Sequence, residues 1–307
     1  MTSDKRAPLR PSNLALYAAV ATAVLLWTLN GPIGKVGFRH FPPLLFFTLR
    51  IVLAGLVMNV VLLLRGVSFR SIIPSDRLKL VALMLFGHVG NQLGYLTGLS
   101  RTSVAHSSII YATLPITILS LAILIGQEKL KKSRLLGMLI SAIGVIILGF
   151  DQGSRIPGAS PTFLGDLLTF GATMGFACVT VFGRAFRERY PAELFIGVAY
   201  TVGALVAGPT LIWPGWDFDY AAVPAEGWLS LLFMAVASAV GAYLLYFWAL
   251  GYVAASTLAN AQYLQPPIAV VIAAVFLAEP VTTALTIGGT VVLAGVYLAE
   301  RRFQRLS

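Results

Sequence analysis

The sequence predicts an all-α integral membrane protein: ten transmembrane helices in two five-helix repeats of opposite orientation. Three observations predict it. Of the 307 residues, 58% are apolar and only 11% are charged, against roughly 45–50% and about 25% in an average soluble domain. The apolar residues form long runs separated by short polar breaks. Finally, residues 95–145 match residues 246–296 without a gap at an offset of 151.

The match rests on Tyr95 with Tyr246, Pro115 with Pro266, Glu128 with Glu279, Gly137 with Gly288 and Gly144 with Gly295. Proline, glutamate and glycine have backbone or solvation costs in an apolar helix, so their recurrence at fixed spacing carries more weight than shared leucines. The pattern extends to the start of each half, where Gly34, Lys35, Pro42 and Phe46 recur as Gly183, Arg184, Pro191 and Phe195 at an offset of 149.

A spanning helix needs roughly 20 mostly apolar residues. The first run, 14–34, follows Lys5, Arg6 and Arg10 and contains Ala21-Thr22-Ala23, which formally fits a signal-peptide cleavage site. It continues apolar through Trp27 to Ile33, long enough to span, and is read as a helix. The second, 44–64, opens after Phe41-Pro42-Pro43, and the third, 78–99, after Pro74-Ser75-Asp76. The fourth and fifth cover 104–125 and a short 135–149. Breakers at 155–161 precede the sixth, 163–183. The seventh covers 194–213, and the stretch 214–226 separates it from the eighth, 228–251. The ninth, 254–278, ends at Glu279-Pro280, and the tenth covers 283–299.

Lysine and arginine set the orientation. With a cytoplasmic N-terminus, seventeen of the 22 basic residues lie in inner segments and only Lys35, Arg39, Arg101 and Arg155 outside. Both termini are therefore expected in the cytoplasm, and the chain in the cell inner (plasma) membrane. The resulting organisation is a tail at 1–13, a first repeat at 14–150, an extracytoplasmic linker at 151–162, a second repeat at 163–300 and a cytoplasmic tail at 301–307. Because five is odd, the second half enters the membrane inverted, which puts Glu128 inside and Glu279 outside. Inverted repeats around a midplane site are a common transporter construction, since rocking one half against the other exposes the site alternately. Duplicated bundles also build membrane enzymes and receptors. The net charge of +10 reflects the inner clusters and implies no nucleic-acid partner. The lone Cys178 excludes an internal disulfide.

Polar residues inside the runs mark the candidate site. His88, Asn91, Gln92 and Tyr95 fall at i, i+3, i+4 and i+7, one face of the third helix. Such a stripe faces a water-filled cavity or makes interhelical hydrogen bonds. The eighth helix supplies Tyr243, Tyr246 and Trp248, and the ninth Asn260, Gln262, Tyr263 and Gln265 just before Pro266-Pro267. Tyr111 on the fourth helix and Trp27 and Asn30 on the first complete the substrate-binding set, although Trp27 is also suited to passive packing. Pro115 and Pro266 are assigned to gating or structure, as static kinks or hinges, together with Glu128 and Glu279. Arg50, about two turns inside the second helix, joins them: it snorkels or pairs with a helix C-terminus, the alternative being contact with a substrate carboxylate. Asp166 is read as a helix cap.

The pattern of Pro43, Phe47, Arg50 and Ala54, the closing Pro-Glu-Gly-Gly series of each half and Gly165-Asp166 at the start of the second half resemble the EamA-type branch of the drug/metabolite transporter superfamily. The resemblance spans about residues 14–301. It implies a central cavity lined mainly by the first, third, fourth, sixth, eighth and ninth helices, and export of amino acids and other small metabolites. Asn30-Gly31-Pro32 departs from the family's more usual Gly-rich apolar turn.

All twelve carboxylates can be placed at helix ends, loops or tails. A pump for lipophilic cations is expected to keep one in the membrane, so zwitterionic or neutral solutes are favoured. Paired catalytic carboxylates, nucleophile elbows, P-loops and metal-spaced histidines are missing from the sequence. The expectation is a monomeric, non-enzymatic secondary transporter without cofactors, exporting amino acids, aromatic or apolar ones first, by alternating access. Its partners are the small-molecule substrate and the bilayer. The alternatives are efflux of drug-like compounds and a membrane enzyme or lipid-handling protein.

Overall fold

The computed structural model describes residues 11–126, 132–150, 161–187, 189–212, 217–250, 252 and 264–300. Every regular element among them is helical. Six segments are long and apolar enough to cross a bilayer: Asn13–Gly37, Pro43–Leu64, Val104–Leu124, Phe163–Gly183, Ala192–Leu211 and Ala225–Ala249. Leu135–Leu148, Gln265–Phe276 and Thr283–Leu298 are shorter apolar helices. The chain is a multi-pass membrane protein.

Helix α1 (Asn13–Gly37) starts where the Ser12 hydroxyl accepts the Ala15 N–H at 3.2 Å, and α2 (Pro43–Leu64) starts on a proline whose missing N–H costs nothing there. Next, α3 (Pro74–Leu83) passes through a π-helical turn, Met84–Val89, into α4 (Gly90–Leu99). A second π-helical segment, Phe233–Gly241, joins α10 (Ala225–Leu232) to α11 (Ala242–Leu250). The two wide turns occupy corresponding positions in the 151-residue repeat, and π-turns inside α-helices are frequent at functional sites. Neither is visible in composition.

The expected fourth span is two helices, α5 (Val104–Tyr111) and α6 (Leu114–Leu124), separated by a turn. Pro115 lies in the first turn of α6 and Pro266 in the first turn of α12 (Gln265–Phe276). The ladder breaks just before Pro115, whose ring removes an N–H, and Pro266 stands in a first helical turn, where the missing N–H is tolerated. The remaining helices are α7 (Lys132–Gly149), α8 (Phe163–Arg187), α9 (Ala192–Ala207) and α13 (Thr283–Glu300).

The helices pair along small residues, as bundles in lipid do when close backbone approach supplies the attraction. Helices α7 and α13 lie antiparallel, with Gly144 against Gly288 and Gly295 against Gly137. Helices α2 and α9 meet at Gly55 and Ala204, and α4 meets α8 at Gly98 and Thr169. Phe46, Phe47, Ile51, Met58, Tyr200, Met234 and Tyr243 fill the main core.

Three buried carboxylates tie helix ends together. Glu279, at the end of α12, accepts the backbone N–H groups of Val104 and Ala105 at 2.9 and 3.2 Å. Its own helix dipole does not explain it, but the positive N-terminus of α5 does. Its repeat partner Glu128 lies outside the described residues. Asp166 is in the first turn of α8, where the dipole favours it. Contrary to the expectation from sequence, however, it does not cap that turn: the Thr162 hydroxyl does, accepting the Gly165 N–H at 3.0 Å. The Asp166 carboxylate instead crosses to the Thr102 hydroxyl and to His106 Nδ1, the latter at 3.0 Å.

The third, Asp76, accepts the Tyr190 hydroxyl at 2.8 Å and Arg189 Nη1 at 3.0 Å. The Tyr190 hydrogen bond, helped by Arg189, holds its carboxyl below the ordinary carboxylate range. A lowered folded-state value means that the stabilisation is present above the unfolded value, near 3.9, and is lost as pH falls through the folded one. The melting temperature of Asp76→Asn is therefore expected to lie below wild type by a constant gap above about pH 5. That gap closes on acidification below about pH 4. Melting in detergent across this range checks it; a gap that does not change with pH would mean Asp76 acts by shape alone.

Candidate functional site

The site grows from the polar stripe on α4 and the π-turn before it. Arg50, on α2, is only 3% exposed. Its head does not snorkel: Nε donates to the Met234 carbonyl at 3.1 Å and Nη1 to Gln92 Oε1 at 2.5 Å. The π-segment Phe233–Gly241 thus presents a carbonyl to a buried guanidinium, and a second one, of Ala239, accepts the Tyr200 hydroxyl at 3.0 Å.

Arginine only donates, so it fixes the Gln92 amide with oxygen toward it and nitrogen away. Gln92 Nε2 accordingly donates to the Tyr243 hydroxyl at 3.1 Å and to Asn91 Oδ1 at 3.4 Å. Asn91 Nδ2 donates in turn to the Ala172 carbonyl at 2.7 Å and to the Tyr111 hydroxyl. One polarised chain therefore runs from α2 through α4 to α5, α8 and α11.

This chain borders a cavity of about 80 Å³, room for roughly three water-sized groups. Of the residues singled out from sequence, Trp27, Asn30, Asn91, Gln92, Tyr95, Tyr111, Tyr243 and Gln265 line it. Arg50 lines it too, with Thr28, Ser107, Ser108 and Phe176. Aromatic edges lock the wall: Trp27 meets Tyr243 at 5.1 Å and Tyr246 at 5.0 Å, and Tyr95 meets Tyr111 at 5.3 Å between ring centroids. The described lining contains no Asp or Glu, so the guanidinium is its single formal charge. Trp27 Nε1, a donor, and Asn30 Oδ1, an acceptor, are buried without a hydrogen-bond partner among the described residues. Unpaired groups of this kind cost roughly 1–3 kcal/mol each and fit a polar solute better than a packed core.

The other candidates lie elsewhere. His88 is buried outside the cavity lining, edge-on to Tyr200 at 4.8 Å and to Tyr243 at 5.4 Å. Tyr246 backs Trp27 and does not border the cavity. Trp248 is not brought to the site. It is 39% exposed and rests against Tyr252 at 5.6 Å, because five residues beyond Tyr243 is more than a third of a turn out of phase on a helix. Pro115, Pro266 and Glu279 hold helix ends, and Asn260, Gln262 and Tyr263 lie outside the described residues. Thr28 and Phe176 carried no signal among so many apolar neighbours. Arg50 did carry one, since a cation inside a span is costly.

A family model described as EamA-like transporter family matches residues 14–150 and again 163–300. An uncharacterized transporter of Bacillus subtilis, YetK, is 24% identical over 286 residues, covering 93% of this chain and 86% of that protein. A probable amino-acid metabolite efflux pump of Salmonella typhimurium is 24% identical over 288 residues, covering 90% and 91%. One solved crystal structure superposes with a TM-score of 0.64 at 21% identity, over 96% of this chain and all of that one.

Proposed function

Because the chain belongs to the EamA-like transporter family, we propose that this membrane transporter exports small metabolites, foremost amino acids, across the cell inner membrane by alternating access. The observation that carries the reading is Arg50. A guanidinium 3% exposed, lining a cavity and without a carboxylate partner among the described residues, has a large desolvation cost that a substrate carboxylate offsets through a forked pair of charge-assisted hydrogen bonds. Asn30 Oδ1 can accept from the substrate ammonium, and the faces of Trp27 and Tyr243 attract a cation through their quadrupoles. The aromatic walls suit an apolar or aromatic side chain, and the small cavity implies that a bulky one enters a wider state. A cationic drug meets the repulsion of Arg50 and finds no carboxylate in the described lining, so drug efflux is the weaker reading.

The proposed architecture is ten spans in two inverted repeats, 14–150 and 163–300, joined by a linker at 151–162, with both tails cytoplasmic and the monomer as the working unit. The reciprocal contacts of Gly144 with Gly288 and Gly295 with Gly137, and the two π-turns at equivalent positions, favour this arrangement. So does the concentration of lysine and arginine in alternate loops.

The test is counterflow of a labelled amino acid in liposomes, competed by a metabolite panel. Movement of cationic drugs but of no amino acid would overturn the substrate class. In a Cys178→Ala background, Tyr95→Cys and Tyr111→Cys, both on the cavity wall, are expected to react with impermeant thiol reagents from both membrane faces. Reaction from one face only would exclude alternating access.

A further inference from the structure

A second hollow, of about 400 Å³, lies between the start of α3 and α9. Its walls are Leu80 and Val81 from α3 and Val198 and Val202 from α9, and its remaining lining includes Arg70 and Arg77. Arg70 belongs to the short 3-10 helix Phe69–Ser71 that precedes α3, and Arg77 to the first helical turn after Pro74. Both arginines therefore sit at the level where helices begin. The apolar walls continue inward as far as Val202, about 15 Å of helix from Ala192. A charged mouth at the interface above an apolar slot is the shape of one phospholipid, phosphate above and acyl chain below.

The charges are available for such a ligand. Asp76, the nearest carboxylate in sequence, is already taken by Tyr190 and Arg189, and neither arginine has a carboxylate partner among the described residues. Arg77 Nε donates to the Ile72 carbonyl at 3.1 Å, which orients the guanidinium plane and leaves both Nη groups for a phosphate. Basic pockets between membrane helices hold anionic headgroups by this chemistry. We propose that the groove binds one anionic phospholipid, phosphate against Arg70 and Arg77 and acyl chain along Val198 and Val202. The inference rests on the chain being a membrane protein and is independent of the substrate and direction proposed above.

Native mass spectrometry of the full-length protein, titrated with phosphatidylglycerol or phosphatidylcholine, tests it. One phosphatidylglycerol is expected to bind in preference to phosphatidylcholine. Each arginine contributes about fivefold, so Arg70→Gln with Arg77→Gln lowers phosphatidylglycerol binding about thirtyfold and leaves phosphatidylcholine unchanged. The single Arg70→Gln, whose side chain makes no internal hydrogen bond among the described residues, shows the fivefold loss even where the double variant folds poorly. The charge-matched pair Arg65→Gln with Lys79→Gln lies off the groove and retains wild-type binding. Equal binding of the two lipids, or equal loss in the charge-matched pair, overturns the proposal. Displacement of the lipid by inorganic phosphate at similar concentration also overturns it, since the groove would then hold a soluble anion.

Discussion

An Arg50→Gln protein is expected to bind and move amino acids about a hundredfold less well than wild type while melting at the same temperature or higher. The loss follows from removing one partner of a buried, hydrogen-bonded charge pair, which costs about 2–5 kcal/mol of binding. The retained stability follows from the same burial. Among the described residues the guanidinium is compensated only by neutral groups, the Met234 carbonyl and Gln92 Oε1. A neutral side chain of similar reach replaces a buried charge at little or no cost in stability. Arg50→Lys keeps the charge but not the fork, so it falls between the two. Counterflow in liposomes and melting in detergent read both quantities. Transport at the wild-type rate in Arg50→Gln would end the carboxylate reading. A collapse of stability alongside lost transport would make Arg50 a strut between α2 and the π-segment instead.

Gly144→Val should separate α7 from α13 and cost about 3 kcal/mol or more. A Cβ at Gly144 would lie 2.6 Å from the Val292 nitrogen and 2.7 Å from the Gly288 carbonyl oxygen, both backbone atoms that cannot rotate aside. The helices must part, and with them the cluster of Leu148, Leu285, Val292 and Val296. Gly171→Ala is the control. Nothing lies within 4 Å of its Cβ, so that change is neutral or stabilises by up to about 1 kcal/mol through helix propensity. Thermal melts and the monodisperse fraction in detergent distinguish the two. Equal melting of Gly144→Val and wild type would mean that this pair contributes little to the fold.

The stripe His88, Asn91, Gln92 and Tyr95 was legible because helical period and the cost of polar groups in lipid are properties of a single helix. It nevertheless divides in space: Asn91, Gln92 and Tyr95 line the cavity, while His88 packs against the aromatic rings of Tyr200 and Tyr243. The π-turn beginning at Met84 changes the phase of the helix within the stripe, and no residue type announces such a turn. Trp248 illustrates the reverse error. Proximity in sequence suggests the site for an amphipathic aromatic near the right tyrosines, but helical phase carries it to the outside.

Composition, charge asymmetry and the spacing of Pro, Glu and Gly determined by themselves that this is a helical membrane protein with a twofold sequence pattern, because each follows from local solvation and backbone costs. What Arg50, Asp166 and Glu279 do was decided only by the tertiary structure. Arg50 reaches Met234, Asp166 reaches His106 and Glu279 reaches the start of α5, over separations of 184, 60 and 175 residues. A buried charge states in the sequence that it needs a partner, but the choice among partners belongs to the packing that brings distant helices together.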